Sequence, residues 1–558
     1  MNSFSVLLTL VVGLSPTISF GASQDESRNP KRSPKRPNIL WITVEDMSPR
    51  VGCYGDKTVP TPNIDRLAEH GIRFVHAFGV YGVCAPNRAT IITGMYPTSI
   101  GAMHMRTMRR TSALDKITDP ELLAIPTYEA TPPHYVRCFT EYLRALGYYC
   151  VNVVKTDYQF ATPLTAWDDS SRKGHWRNRP SADTPFFAVF NFTTTHESGT
   201  FQQRSPKVTD PAKVKVPPYY PDHPTVRRDM ARHYDNIAAM DQQVGKLLAQ
   251  LKEDGLLEST IIFFFSDHGD GFPRAKRWVY DSGTRVPMIV RFPDGKGRGT
   301  TSERLVSFVD LAPTVLSLAG ATIPDHLQGQ AFLGPEKGPP RKYVYMARDR
   351  MDPAPETVRA VRDERYQYVR NYRPDLPYIG FIPYRDRAQM MQVILKMMKA
   401  NELGPNQWQF WATKKPIEEL YDTKTDPHQI KNIASDPKHY TKLAELRKAC
   451  EGWVKETKDL GFLDEKVLIK KLWPPDGKQP KTKISSISWR DAKQEGKQLV
   501  TIHCQTKGAS VAYQTGKKKS RRWLLYTEPF VVPRSTVVRT RANRIGWKAS
   551  GTSTAIVK

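Results

Sequence analysis

This sequence of 558 residues has few cysteines, no long apolar run and a shortage of acidic side chains. A total of six cysteines is too few for a disulfide framework in a chain of this length. No apolar run approaches 18 residues, so stable membrane insertion is not expected. Asp and Glu number 56 against 83 Lys and Arg, which gives a formal net charge of +27 and a sequence pI of about 9.7. A field of this sign favours polyanions as partners, namely nucleic acid, an anionic membrane or an acidic polysaccharide.

The N-terminal 36 residues have the composition of an export signal followed by a tether. Residues 1–22 contain a mostly apolar stretch, residues 4–14, and end in small residues before Ala22, which is the pattern of a secretory signal peptide. Residues 23–36 are polar and basic and contain proline, as mobile tethers do. We therefore expect a secreted or periplasmic protein. Outside the cytoplasm the expected polyanion is an acidic glycan, and we predict no nucleic-acid partner.

In the rest of the chain the pattern of strand-like and helix-like stretches changes twice, and this predicts three folded parts. Residues 37–335 alternate strand-like and helix-like stretches, which is typical of an α/β domain with a mostly parallel sheet flanked by helices. Residues 336–475 combine antiparallel strand patterns with helices and predict a smaller α+β subdomain. Residues 476–484 read as a linker because of their prolines. Residues 485–558 contain short alternating strands with turn signals and predict a β-sandwich accessory module.

Polar side chains follow two of the predicted strands where each strand ends. Glu45 and Asp46 come directly after residues 38–44, and Asp267 and His268 come one residue after the apolar residues 260–265. If these strands are parallel neighbours, all four side chains lie at one carboxyl edge of the sheet, where open α/β sheets bind ligands. Oxygen-rich ligands favour calcium or magnesium over zinc. The pattern therefore predicts a site for one divalent cation.

A cysteine motif, Cys84-Ala-Pro-Asn-Arg88, lies between these two strands in the sequence. Pro86 suits the first turn of a helix, which would place Cys84 at a helix N-terminus, where backbone N–H groups attract anions. Arg88 would lie one helical turn further on. A lone cysteine is most often a small buried apolar residue, but a thiol beside an anion site and a metal site favours a reactive role.

The motif Cys-x-Pro-x-Arg, followed by Thr93-Gly94, resembles the signature of the type I sulfatases of the alkaline-phosphatase-like superfamily. The resemblance covers roughly residues 37–475 and implies that superfamily's mixed, mostly parallel sheet. It also implies that a formylglycine-generating maturation enzyme oxidises Cys84 to formylglycine, whose hydrate is the nucleophile. Calcium would be held by Asp46, Asp267, His268 and Cys84. Glu45 would be a further ligand, in place of the aspartate that the family usually has.

The same resemblance assigns four further catalytic residues, including Arg88. Lys155 matches a lysine at the end of a strand, and Lys276 matches the lysine of a later loop; both would contact the sulfate oxygens. His196 matches the histidine that contacts sulfate and the leaving oxygen, so it is the expected general acid. A carboxylate, with Asp267 the first choice, would take the proton from the nucleophile.

Three more residues are candidate substrate contacts. The family segment Gly-Lys-x-His reads Lys155-Thr-Asp157 here, so the usual histidine is missing and Asp157 or His104 could replace it. Arg274 is either a substrate contact or a solvated side chain.

The cysteines other than Cys84 form an odd-numbered set, and Cys138 and Cys150, which flank a helix-like segment, could form a disulfide in an oxidising compartment. The cysteines are Cys53, Cys84, Cys138, Cys150, Cys450 and Cys504.

Several local segments, such as residues 193–198, look most like the heparan N-sulfatase-like branch. We therefore predict a sulfatase that acts on a sulfated polysaccharide or oligosaccharide, with O-sulfate and N-sulfate linkages both open. The alternatives are a phosphoesterase or phosphonate hydrolase of the same superfamily and a non-catalytic polyanion-binding protein.

The C-terminal region is strongly basic. Residues 481–558 contain 17 Lys or Arg and 3 Asp or Glu, and this excess is about half of the net charge of the whole chain. Their densest basic run, residues 517–522, could hold the polymer or be a solvated loop.

Overall fold

A sheet of nine strands organises the protein, which the computed structural model describes over residues 36–108, 120–518 and 520–558. The predicted signal and nearly all of the predicted tether lie outside these segments. Pro37–Lys558 forms one compact unit. The strands of this sheet are β1 (Asn38–Val44), β2 (Ile72–Phe78), β3 (Tyr149–Val153), β4 (Asp169–Ser170), β5 (Phe186–Phe192), β6 (Thr260–Ser266), β7 (Arg285–Arg291), β8 (Thr300–Ser302) and β9 (Val306–Ser307).

The sheet is mixed and mostly parallel, as predicted. Its order is β4-β3-β5-β1-β6-β7-β2-β8, with β9 also paired to β2. Only β7 runs antiparallel to both of its neighbours, β6 and β2. The central strands β1, β5 and β6 are almost continuously buried, because a parallel strand covered on both faces has an apolar run rather than an alternation.

Helices cover both faces of this sheet. On one face Leu40 and Ile42 pack in a core with the long helix α6, including its Met240. On the other face Ile39 and Trp41 pack with α5 and α8. The alternation of side chains along β1 thus supplies both cores. The helices of this part are α1 (Pro62–Glu69), α2 (Cys84–Thr93), α3 (Pro97–Ile100), α4 (Pro120–Leu123), α5 (Phe139–Ala145), α6 (Pro224–Glu253), α7 (Asp281–Thr284) and α8 (Leu311–Ala319).

A second sheet follows, and its four strands are antiparallel in the order β10-β11-β12-β13. Helix α11 packs on it through Leu443 and Leu446, which join a core with Val361 and Leu420. This agrees with the predicted α+β character of the region. Its elements are β10 (Val344–Arg348), β11 (Val358–Arg362), β12 (Tyr366–Asn371), α9 (Gln389–Lys399), α10 (Pro405–Trp408), β13 (Glu418–Asp422), α11 (Tyr440–Glu456) and α12 (Glu465–Leu472).

The terminal region contains two small antiparallel sheets, β14-β15-β18 and β17-β16-β19-β20. Val500 and Ile502 of one sheet share a core with Val511 and Val538 of the other, as expected for a sandwich. The predicted domain boundaries themselves stay predictions. The strands are β14 (Ser486–Asp491), β15 (Lys497–His503), β16 (Ser510–Thr515), β17 (Leu524–Leu525), β18 (Phe530–Pro533), β19 (Val537–Asn543) and β20 (Ser553–Ile556).

The terminal sandwich contacts the preceding parts of the chain through polar groups. Arg144 Nη2 donates to the carbonyl oxygen of Trp523 at 2.6 Å, and Arg522 Nε lies 2.7 Å from Asp168 Oδ1. Trp473 Nε1 donates to the carbonyl oxygen of Gly546 at 3.0 Å. One member of the basic run, Arg522, is therefore part of an internal contact rather than of a solvated loop.

The segments that the structure describes contain neither a membrane-spanning helix nor a disulfide bond. Within the described segments, no helix combines the length and apolar character needed to cross a bilayer. All six cysteines are free thiols. Cys138 and Cys150 are both buried, and Cys150 Sγ donates instead to the carbonyl oxygen of Thr140 at 3.8 Å, so the disulfide that the sequence allowed between them is not formed.

Candidate active site

The two acidic strand ends meet at one edge of the central sheet. β1 and β6 are parallel neighbours, and their register pairs Val44 with Ser266. The residues that follow these two strands therefore leave the sheet side by side. The backbone N–H of Asp46 donates to Asp267 Oδ1 at 3.2 Å. Asp46 itself has a left-handed backbone with φ of 52°, a conformation that aspartate tolerates better than most residues.

Cys84 is the first residue of helix α2 and points into this edge. It is buried, and its Sγ lies 3.3 Å from His268 Nε2 and 4.0 Å from Asp46 Oδ1. Asn87 fixes the start of the helix, because its Oδ1 accepts from the backbone N–H of Val80 at 3.0 Å and its Nδ2 donates to the carbonyl oxygen of Asp267. The thiol therefore lies where a helix N-terminus and the acidic edge converge.

Four of the five predicted metal ligands form one group. Single ligand atoms of Asp46, Cys84, Asp267 and His268 all lie within 4.8 Å of one another, and all four residues are buried. Two carboxylates in this group fit a hard divalent cation. Burial alone would lower the pKa of His268, but attraction to Asp267 and Asp46 outweighs it and raises that pKa well above its usual value. A protonated His268 would offset part of the negative charge of these two carboxylates.

Glu45, the fifth predicted ligand, lies beside this group rather than within it. Its carboxylate clusters with Asp46 and His196, and its Oε1 lies 2.5 Å from Lys155 Nζ and 3.5 Å from Arg88 Nη2. The structure therefore gives Glu45 two cations as neighbours. Because the ligand atoms of Glu45, Asp46 and His196 also lie within 4.8 Å of one another, the role of Glu45 as a metal ligand stays a prediction.

Three cations surround the cluster. Lys276 Nζ lies 2.6 Å from Asp46 Oδ2, and attraction to Asp46 raises the pKa of Lys276 well above its usual value although burial alone would lower it. Burial also opposes the charge of Lys155, but Cys84 and Glu45 raise its pKa. Arg88 Nη2 lies 3.2 Å from Asp267 Oδ2. The site thus keeps fixed positive charge beside the thiol, which would stabilise a bound anionic group.

His196 lies four residues after the end of β5, near Lys276. It is half-buried, and its Nδ1 is 3.0 Å from Ser198 Oγ. Burial and the nearby charge of Lys276 lower the pKa of His196 below 6.5. The imidazole is therefore neutral near pH 7 unless a negative group approaches it.

Two predicted substrate contacts lie elsewhere. Arg274 is 2% exposed, and its guanidinium lies in an aromatic cage, 4.3 to 4.5 Å from the ring centres of Tyr219, Tyr280 and Phe410. Its Nη2 donates to the carbonyl oxygen of Gln429. This placement gives it a structural role. His104 is buried, and burial lowers its pKa to about 4. The charges that act on it most strongly after burial are Glu465 and Arg350, which are outside the cluster.

Asp157, in contrast, lies near the site. Its Oδ1 is 3.5 Å from Arg106 Nη1, and both residues have left-handed backbones, with φ of 55° and 61°. Asp157 also contributes to raising the pKa of Lys155 and of Arg88. Non-glycine residues with such backbones concentrate at active sites, and the replacement of the missing histidine by Asp157 or His104 stays a prediction.

Three further residues, which the sequence pattern did not single out, complete the site. Glu197 Oε1 lies 3.0 Å from Lys276 Nζ and 2.8 Å from Arg277 Nη2, and Asn191 Oδ1 accepts from Arg88 Nη1 at 2.8 Å. Glu197 and Arg277 directly follow two predicted site residues, so adjacency was the available signal. Asn191 had none, because its partner lies more than one hundred residues away in the chain.

Comparisons with known proteins agree with this geometry. A family model described as Sulfatase matches residues 37–321, and one described as N-sulphoglucosamine sulphohydrolase, C-terminal, matches residues 271–402. An ulvan-active sulfatase of Formosa agariphila is 44% identical over 93% of this chain and 91% of its own. The human N-sulphoglucosamine sulphohydrolase is 26% identical over 77% of this chain and 93% of its own.

Solved structures share the fold at low identity. A structure in complex with D-glucosamine-2-N,6-O-disulfate has a TM-score of 0.51 at 20% identity and covers 76% of this chain and 99% of its own. The phosphonate monoester hydrolase of Agrobacterium radiobacter has a TM-score of 0.56 at 17% identity and covers 76% and 97%. The sheet and these structural neighbours define an alkaline-phosphatase-like fold. Within that class the chain belongs to the sulfatase family, so the type I sulfatase prediction is confirmed.

Proposed function

We propose that this sulfatase removes sulfate from a sulfated polysaccharide or oligosaccharide outside the cytoplasm, with Cys84 matured to formylglycine and calcium bound at the sheet edge. The observation that carries the proposal is the position of Cys84. A buried thiol at a helix N-terminus, 3.3 Å from His268 and flanked by lysines and arginine, suits a nucleophile for an anionic group. The names of the relatives, which include an ulvan-active sulfatase, support a glycan.

Asp46, Asp267, His268 and the group at position 84 would hold the cation. When bound, calcium would neutralise sulfate charge and lower the pKa of a hydroxyl beside it, and the formylglycine hydrate would supply that hydroxyl. The carboxylates fit this cation by their donor type. Conversion of Cys84 to formylglycine would require a maturation enzyme as a partner.

The protein's own residues position the sulfate and move protons. Lys155 and Lys276 would contact sulfate oxygens and stabilise the charge that builds up on them. Arg88 holds Asp267 in place through Nη2 at 3.2 Å, and Asp267 would accept the proton of the attacking hydroxyl. His196 would donate a proton to the leaving oxygen of the sugar.

Mass spectrometry of the peptide that spans residues 75–106 tests the proposal most directly. Protein made with a maturation system should show position 84 altered by loss of H₂S and gain of one oxygen. It should also release sulfate from ulvan oligosaccharides or from N-sulfated oligosaccharides, and the comparison decides the linkage. Cys84→Ala should abolish turnover with the fold intact. An unmodified Cys84 in a fully active enzyme, or turnover of phosphonate monoesters alone, would contradict the proposal.

The proposed general acid has a pH signature. Because burial and Lys276 lower the pKa of His196, its protonated fraction falls as the pH rises through a value below 6.5. The value of kcat/KM should therefore decrease with rising pH, with an apparent pKa below 6.5. His196→Gln should lower kcat/KM and remove this limb. A limb that is unchanged in the variant would assign the proton to another group.

A further inference from the structure

An aromatic and basic surface beside His196 has no part in the proposed chemistry. The ring centre of Tyr384 lies 6.3 Å from that of His196 and 5.6 Å from that of Phe201. Tyr384 and Phe201 are both half-buried. Because His196 would protonate the leaving sugar oxygen, this surface lies on the side from which the sugar departs.

Tyr384 is presented by a loop with firm anchors. Arg385, its neighbour, is buried, and its Nη2 donates to the carbonyl oxygen of Gly380 at 2.8 Å and lies 2.7 Å from Asp386 Oδ1. Ile382 on the other side is fully buried in a core cluster. The loop therefore holds the ring of Tyr384 in place while leaving part of it accessible, and such preorganisation reduces the entropy lost when a ligand binds.

Two arginines border the aromatic pair. The guanidinium carbon of Arg387 lies 5.7 Å from the ring centre of Tyr384, and Arg204 Nη1 lies 3.5 Å from Ser198 Oγ, the partner of His196. Both arginines are exposed, and within residues 36–108, 120–518 and 520–558 neither forms an ion pair with a carboxylate at 4.0 Å or less. Their charge is thus free to bind an external anion.

We infer that Tyr384 and Phe201, with Arg204 and Arg387, form a subsite for an acidic sugar unit adjoining the one that bears the scissile sulfate. The C–H face of a sugar ring is apolar and packs on an aromatic ring, which also offers a polar edge. A carboxylate or second sulfate on that unit would pair with the arginines. The inference rests on the proposed function, because His196 sets which side the leaving sugar occupies.

Paired substrates test this subsite. For each variant we compare the kcat/KM on ulvan oligosaccharides with the kcat/KM on 4-methylumbelliferyl sulfate, as a ratio of the first to the second. Tyr384→Ala should lower this ratio at least about tenfold relative to wild type, mainly by raising the KM for the oligosaccharides. Tyr384→Phe should retain most of the wild-type ratio, since the ring remains. Arg387→Ala should lower the same ratio and weaken its dependence on salt. Tyr440→Ala, at a 52% exposed tyrosine of α11, is the matched control and should change nothing.

A binding measurement separates this inference from the proposed function. In the Cys84→Ala background, calorimetry with the same oligosaccharides should show at least about tenfold weaker binding when Tyr384→Ala is added. If wild-type enzyme turns over neither substrate, the proposed function fails while this comparison still reports on the subsite. Equal loss on both substrates, a loss in kcat alone, or unchanged binding would overturn the subsite.

Discussion

Replacing Glu197 with glutamine removes one negative charge from between two buried cations. Its carboxylate lies 3.0 Å from Lys276 Nζ and 2.8 Å from Arg277 Nη2, and all three side chains are 5% exposed or less. Attraction to Arg277 and Lys276 outweighs burial and lowers the pKa of Glu197 to about 2. The carboxylate is therefore ionised in the folded protein, and glutamine cannot replace it electrostatically.

The size of the effect follows from these distances. Coulomb's law at an effective dielectric constant of about 20 gives roughly 6 kcal/mol for each pair. The desolvation of Glu197 offsets part of this, and removal of one partner from a buried pair typically costs about 3 to 5 kcal/mol. Unfolding entropy of about 2.1 cal/mol/K per residue gives about 1.1 kcal/mol/K for Pro37–Lys558. Glu197→Gln should therefore lower Tm by about 3 to 5 °C.

Activity should fall as well. The backbone N–H of Glu197 donates to Asp46 Oδ2 at 2.7 Å, and its side chain sets the position of Lys276, so misplacement of both groups should reduce kcat by about 10- to 100-fold. Differential scanning calorimetry and steady-state kinetics measure the two effects. Glu445→Gln, at a glutamate paired on the surface with Lys442, is the control and should cost less than about 1 kcal/mol. A Glu197→Gln variant with wild-type Tm and kcat would refute the reasoning.

Three further outcomes are expected. Chelation should abolish activity, calcium should restore it better than zinc, and Asp46→Asn should mimic chelation; full activity at zero metal content would exclude the site. Burial opposes ionisation of Glu465, but His104 and Arg350 lower its pKa to about 2. Its stabilisation is therefore present above about pH 4.5 and is lost as the pH falls toward 2. Thermal scans should show Glu465→Gln destabilised at pH 7 and progressively less so below pH 4.5; an equal difference at both ends would argue against the ion pair. Joint replacement of the exposed Lys517, Lys518 and Arg521 by serine should weaken salt-sensitive retention on sulfated polysaccharide, whereas unchanged retention would leave the run a solvated loop.

The sequence by itself determined the features that are encoded locally. A continuous apolar strand followed by polar residues predicts a sheet edge, and this is why Asp46 and Asp267 were expected together; the register of β1 and β6 places them there. Pro86 two residues after Cys84 predicted a helix start, and α2 begins at Cys84. The buried residues of α6 are encoded locally in the same way, because apolar residues with a period of 3.6 mark one face of a helix whatever surface it packs against.

Only the tertiary structure decided which neighbouring charges face the site. Arg274, Lys276 and Arg277 lie within four residues, and the left-handed backbone at Arg274 and Arg277, with φ of 63° and 75°, directs one guanidinium into an aromatic cage and the other to Glu197. A linear pattern does not specify such loop conformations. Tyr384 reaches His196 from a part of the chain with a different fold, so the contact exists only after the two parts pack. The physical reason is that strand and helix patterns record burial of a local face, whereas ion pairs and ring contacts between distant segments depend on where those faces are assembled.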